Sequence, residues 1–222
     1  MAQLFRPGAN TIARIVLLAL LAAPLGAIAL LMVLARSTYV TGKDRTVHKP
    51  VAFSHRHHTA EIGIDCRYCH ASVETSARAG MPPTRTCMTC HSRLYTQADM
   101  LAPVRRSLAE DRPLAWNAVN ALPDYVYFDH SIHVARQVAC TTCHGEVGRM
   151  QLIRQFAPLT MQWCLDCHRD PAPRLSRAED VFSPFGSQAR WVPANTPAPR
   201  KSGAPPVHAI GSNLTDCSIC HR

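Results

Sequence analysis

FSHRHHTAEIGIDCRYCH, residues 53–70, sets three histidines, His55, His57 and His58, just ahead of a Cys66-x-x-Cys69-His70 sequence. The same pattern returns at Cys87-x-x-Cys90-His91, Cys140-x-x-Cys143-His144, Cys164-x-x-Cys167-His168 and Cys217-x-x-Cys220-His221. These five copies use all ten cysteines of the chain. CxxCH is the attachment signature of c-type haem. Its two thiols add to the two haem vinyl groups, and the adjacent histidine becomes the proximal iron ligand. A zinc site pairs CxxC motifs and needs no histidine after each. A disulfide framework has varied spacings, and a thioredoxin-like motif occurs once or twice. With no cysteine to spare, neither an iron–sulfur cluster nor a disulfide fits this chain. Five covalently bound haem c groups are therefore expected.

The motifs begin at 66, 87, 140, 164 and 217, so the steps alternate between short (21, 24) and long (53, 53). That rhythm predicts a two-haem module used twice and then half again. The upstream histidines follow it. Phe53-Ser54-His55-Arg56-His57-His58 aligns with Phe128-Asp129-His130-Ser131-Ile132-His133, and the shared form is F-x-H-x-x-H. An i, i+3 pair lies on one face of a helical turn, and two haems cannot share one iron position. We assign His55 to the first haem, His58 to the second, His130 to the third and His133 to the fourth, as distal ligands. His57 is replaced by Ile132 in the second copy and is read as a surface or propionate-contacting residue.

His208 stands nine residues before Cys217, where the first histidine of a third module would be, and Gly211 takes the place of the second. His208 is the favoured fifth distal ligand. Met161 and Met150 compete for that role. A methionine ligand would raise the potential of its haem, whereas a methionine outside the coordination sphere packs against porphyrin. His48 is a remote spare.

A length of 222 residues suits one or two domains. Aromatic residues make up only 6 % and prolines number 17, which is a poor recipe for an ordinary core. Porphyrin would supply the missing apolar bulk. The expected fold class is a multihaem cytochrome c: one N-terminal transmembrane helix, then a mostly irregular, short-helix, haem-packed domain with little or no sheet. The net charge of +9 would suit nucleic acid or anionic lipid, but the propionates of five haems add about ten negative charges. No nucleic-acid partner is expected. Arg169 and Arg222, beside their motifs, are either propionate partners or simply solvated.

Ile15 to Ala35 carries no charge, and at about 1.5 Å per residue it matches the hydrocarbon thickness of a bilayer. A cleaved signal peptide has a shorter apolar core of about 7–15 residues, so an uncleaved single-pass anchor in the lipid bilayer is expected. Basic residues flank both ends, which leaves charge bias silent on orientation. Haem c is attached outside the bacterial cytoplasmic (inner) membrane, which puts the haem domain on the periplasmic side. The expected organisation is a cytoplasmic N-terminus (1–14), a transmembrane helix (15–36) and a tetrahaem region (37–170). A Pro-rich extended strap (171–206) and a fifth-haem segment (207–222) follow. Residues 97–110 read as an amphipathic helix broken by Pro103, with Thr96 and Asp99 as capping residues.

F-x-H-x-x-H ahead of CxxCH resembles the small multihaem cytochromes of the c3 and c7 type. Several further stretches accompany the five motifs and the anchor: Ala79-Gly80-Met81-Pro82-Pro83-Thr84-Arg85-Thr86-Cys87, Tyr127-Phe128-Asp129-His130-Ser131-Ile132-His133 and Met161-Gln162-Trp163-Cys164. Together they resemble the pentahaem subunit of bacterial alternative complex III, most specifically over residues 51–170. The resemblance implies a quinol:electron-acceptor oxidoreductase. Its partners would be an iron–sulfur subunit, a monohaem cytochrome c subunit, polytopic quinol-binding membrane subunits, and a soluble cytochrome or cupredoxin acceptor. The chain itself would relay electrons and hold no catalytic site. Two alternatives stay open. A stand-alone membrane quinol dehydrogenase shares the layout, but Ala71-Ser72-Val73 stands where its CxxCHxxM methionine would follow the first motif. A multihaem reductase needs one open iron, which a missing fifth ligand would supply.

Overall fold

The computed structural model describes residue 6 and residues 8–186 and 213–221. The chain divides into two compact units, Met1–Gly42 and Lys43–Arg222.

The first unit is dominated by α1, Ala9–Arg36, a 28-residue helix with no buried residue. Leucine, isoleucine, valine and alanine surround it on all sides, as expected of a helix that faces hydrocarbon rather than a protein core. It is long and apolar enough to cross a membrane. Pro24 lies inside it without ending it. The helix extends beyond the uncharged run at its N-terminal end, taking in Arg14. A short α2, Thr38–Thr41, follows and stops at Gly42, whose φ of 71° is the left-handed conformation that glycine tolerates best.

The second unit is built from short helices. They are α3 (Cys66–Cys69), α4 (Thr84–His91), α5 (Ala102–Ala109), α6 (His130–Ala135), α7 (Cys140–His144), α8 (Met161–Arg169) and α9 (Cys217–Cys220), with a π-helical turn at Arg56–Glu61. Among the described residues there is no strand, only one antiparallel bridge between Thr46 and Arg154. The buried apolar residues are small or medium-sized: Val51, Val73, Val104, Ala139, Val147, Met150, Ala157 and Val181. No large side chain among the described residues is fully enclosed by protein.

Helix starts repeat the alternation of the motif spacing. In the first, third and fifth motifs the helix begins at the first cysteine, after an extended residue: Asp65 (ψ 144°), Ala139 (ψ 143°) and Asp216 (ψ 140°). In the second and fourth, the helix begins three residues earlier, at Thr84 and Met161. Asp65, Asp129 and Thr160 cap α3, α6 and α8 by accepting backbone N–H groups that lack an intrahelical partner.

The structure corrects the reading of residues 97–110. A 3-10 turn at Asp99–Leu101 leads into α5, and Pro103 lies in the first turn of that helix. The missing N–H of proline costs nothing there, so Pro103 starts the helix instead of breaking it. Thr96 and Asp99 make no side-chain cap; Ala98 and Leu101 hold the cap positions. The first part of the Pro-rich stretch carries two 3-10 turns, Ala172–Arg174 and Ala178–Asp180. It turns back onto the motifs: Cys140 N–H donates to Val181 O at 3.0 Å, and Gly148 N–H to Pro184 O at 2.9 Å. Residues 187–206 lie outside the described residues, as do His208 and Arg222.

Candidate functional site

Each CxxCH helix leaves its histidine in the last turn or just past the helix end, and the imidazole is then tethered through Nδ1. His70 Nδ1–H donates to Gly80 O at 2.8 Å, His91 to Leu94 O at 3.2 Å, His168 to Leu214 O at 2.8 Å and His221 to Tyr125 O at 3.0 Å. His144 lies 2.9 Å from the side-chain amide of Asn120. Asn120 Oδ1 is otherwise buried without a donor. With Nδ1 protonated, the amide presents that oxygen, which satisfies both groups. Gly80 has φ +80°, and a Cβ there would meet Ser72 Oγ at 2.8 Å, so a glycine shapes the carbonyl that orients His70.

The upstream histidines are held in the same way. His58 donates to Ser54 O at 2.9 Å, His130 to Ala77 O at 2.8 Å and His133 to Asp129 O at 2.7 Å. His55 differs, because its Nδ1 is buried and has no partner. His57 pairs instead with the Glu61 carboxylate at 2.8 Å. An imidazole whose Nδ1 donates to an acceptor has a fixed tautomer and leaves Nε2 free for a metal.

The two sets of histidines meet in pairs. Ring centres lie 6.2 Å apart for His58 and His91, 6.4 Å for His130 and His144, and 6.1 Å for His133 and His168. Two imidazoles bound trans to one metal have ring centres roughly 6 Å apart: two metal–nitrogen bonds of about 2 Å plus two ring half-widths of about 1 Å. The residues therefore fit an iron between each pair. His55 lies near His70, His58 and His144. Burial, with those neighbouring imidazoles, lowers it to about 4. Burial also lowers His144 to about 4 and pushes His58 and His133 down. Neutral imidazole is the form that binds iron.

Phenylalanines complete each distal pair. Phe53 stacks on His58 at 4.3 Å and meets His55 edge-on at 4.9 Å. Phe128 stacks on His133 at 4.4 Å and meets His130 edge-on at 4.8 Å. F-x-H-x-x-H thus codes one rigid three-ring unit, used twice. The repeat displayed these phenylalanines without revealing their part. Asn120 and the carbonyl acceptors left no sequence signal, because any residue supplies a carbonyl.

The donor set does not suit zinc. Among the described residues no group of three or more His, Cys, Asp or Glu side chains is arranged to hold a metal ion. Burial raises the Cys69, Cys87, Cys164 and Cys167 thiols and pushes Cys143 up to about 12. Of the competing methionines, Met150 is buried against Gly145, and Met161 is exposed at the start of α8. His48 is exposed. Arg169 reaches Asp166 at 3.6 Å.

Residues 51–106 match the family model of cytochrome c7 and related cytochrome c. This segment holds the first two motifs and their distal pair, and it supports a cytochrome c7-like multihaem fold with covalently bound haem c. The chain is also similar to the multiheme cytochrome c subunit of menaquinone reductase from Nitratidesulfovibrio vulgaris, with 30 % identity over 125 residues. That alignment covers 56 % of this chain and 53 % of the relative, so the chain spans about half the length of the curated relative it matches.

Proposed function

We propose that this chain is a membrane-anchored pentahaem cytochrome c that relays electrons between a membrane quinone pool and a periplasmic carrier, as one subunit of a larger complex. The pairing of proximal with distal imidazoles at ring spacings of 6.1 to 6.4 Å carries this reading. An iron with two protein ligands has no open position, so it passes single electrons and binds no substrate.

The ten cysteines of the five motifs hold the haems by thioether bonds. His70, His91, His144, His168 and His221 are the proximal ligands, and His55, His58, His130, His133 and His208 the distal ones. When bound, haem supplies reversible one-electron chemistry. The protein's own work is to lock the imidazole planes, limit water at the half-buried pairs and tune basicity through the Nδ1 acceptors. In this reading α1 is a single-pass anchor with the motifs on the periplasmic side. The expected partners are iron–sulfur, monohaem and polytopic quinol-binding subunits, as in alternative complex III, with quinol oxidation feeding a soluble cytochrome or cupredoxin.

A second reading concerns direction. The relative is named a menaquinone reductase subunit, which delivers electrons to the quinone. A row of closed haems conducts either way, and the potentials of its partners set the flow. The relative's standing as a subunit supports membership of a complex over a stand-alone quinol dehydrogenase.

The test is intact mass together with near-infrared magnetic circular dichroism on the complex purified through a tag on this chain. Five haem additions and no methionine charge-transfer band are expected, with such a band appearing in His208→Met. A methionine band in the wild type would transfer the fifth position to Met161 or Met150. A high-spin ferric signal would reveal an open iron and favour a reductase.

A further inference from the structure

In sequence the two modules run in tandem, which suggests haems in chain order, with the second beside the third. The hydrogen bonds point elsewhere. Arg56, the residue after His55, donates its N–H to Met150 O at 3.1 Å. Ser131, the residue after His130, donates its N–H to Ser76 O at 3.3 Å. Met150 and Ser76 each lie six residues past the histidine of their module's first motif. Each module's distal turn is therefore docked on the equivalent loop of the other. Mutual contacts of this kind are the mark of a two-fold relation, as in an isologous dimer. Equivalent cysteines also meet at this junction. The Cys66 and Cys140 thiols are neighbours that interact across it. Both also reach one segment, Cys66 Sγ toward Phe182 O at 3.3 Å and Cys140 N–H to Val181 O at 3.0 Å. The tether of His130 lies across the junction as well, on Ala77 O of the first module.

Within a module the paired motifs sit side by side. Tyr68 of the first motif hydrogen-bonds Thr89 of the second at 2.8 Å, and Phe53 touches both distal histidines. Phe128 does the same in the second module. Among the described residues the fifth motif is fastened to the second module in three places. His168 Nδ1–H donates to Leu214 O, His221 Nδ1–H to Tyr125 O, and Tyr127 N–H to Cys220 O at 2.8 Å.

On the pentahaem reading above, we propose that the two modules are joined head to head about a pseudo-two-fold axis. The haem-attachment motifs then line up in the order second, first, third, fourth, fifth, and electrons travel along that row. Each step moves one electron from a ferrous to a neighbouring ferric iron and makes or breaks no bond. The second and fifth motifs are the ends where electrons enter and leave. Their cysteines carry the same message: Cys90 and Cys217 are exposed, while the other eight are at least partly buried.

The experiment measures the midpoint of each haem in the full-length complex, resolved by NMR of the haem methyl groups, in His55→Met and His58→Met. Neighbouring haems shift one another electrostatically. Beyond the haem each residue ligates, His55→Met should move the midpoints of the second and third haems, and His58→Met that of the first haem alone. Chain order demands the reverse: His58→Met would move the first and third haems, and His55→Met only the second. That result would overturn the proposal. If either variant fails to load five haems, the pair His130→Met and His133→Met tests the same junction from the other module. His130→Met should then move the first and fourth haems, against the second and fourth in chain order. A wild-type count other than five would instead sink the pentahaem reading itself.

Discussion

Asn120 offers the sharpest test of how the protein tunes a single haem. Its amide lies 2.9 Å from Nδ1 of His144, whose ring faces His130 at 6.4 Å and within 5° of parallel. In Asn120→Leu the Nδ1–H loses its acceptor, and an unsatisfied buried donor costs about 1–3 kcal/mol. The imidazole also becomes a weaker electron donor to iron. Loss of such an outer partner typically costs 10–100-fold in metal affinity, and ferric iron, with the higher charge, bears most of it. Each tenfold weakening confined to the ferric form raises a one-electron midpoint by about 59 mV. The third haem should therefore rise by about 60 mV or more in Asn120→Leu. In Asn120→Asp it should fall, because a carboxylate is a stronger acceptor. An EPR-monitored redox titration reads both changes, since near-parallel imidazoles give the third haem its own ferric signal. An unchanged or lowered midpoint in an Asn120→Leu protein that still carries five haems would refute the reasoning.

Phe128→Leu should alter the ferric EPR signals of the third and fourth haems only and lower stability by about 0.5–1.5 kcal/mol for each ring pair removed; changes at the first and second haems would count against the three-ring unit. Gly80→Ala forces an L side chain into φ +80° against Ser72. Thermal melting should show a loss of about 1–3 kcal/mol, with the largest spectral change at the first haem. The Asp65 carboxyl is held below the usual carboxylate range, chiefly by the Arg67 guanidinium. Its stabilising effect is thus complete above the unfolded value of about 3.9 and fades as pH falls through the lower folded value. The side chain is about half exposed, so the effect stays below about 1 kcal/mol. The melting difference between wild type and Asp65→Asn should be flat from neutral pH to about 5 and shrink toward pH 3; growth on acidification would contradict it. Deleting residues 1–36 should release the haem domain from membranes when fractions are assayed for haem.

Much of the site was legible because covalent chemistry demands fixed spacing. CxxCH and F-x-H-x-x-H are short, rigid patterns whose residues must sit together whatever the tertiary fold. The alternation of motif steps reads only as a repeated two-haem module; the structure adds that helix starts alternate with it. Residues 97–110 misled because proline reads as a breaker, and its acceptance at a helix start depends on where that start falls. The head-to-head junction was illegible for a deeper reason. It is made by backbone groups of Arg56, Met150, Ser76 and Ser131, and main-chain hydrogen bonds leave no trace in side-chain identity. The His208 assignment falls on residues outside those described and rests on the spacing of the repeat.

The scarcity of enclosed side chains has a consequence for the life of this molecule. Among the described residues, an interior of Val51, Val73, Val104 and a few other modest side chains cannot recover from its own burial the entropy of ordering residues 43–186 and 213–221. Without porphyrin the chain has little reason to collapse. On the pentahaem reading proposed above, such a polypeptide would stay pliant until its thiols are modified, and could be threaded through a membrane and handled by the attachment machinery while still open. Each ligation would then contribute a fragment of core, and maturation would become a ratchet in which the order of haem delivery governs the order of folding. A copy that missed a haem would keep an open segment that proteases can find, so assembly and surveillance would read the same feature.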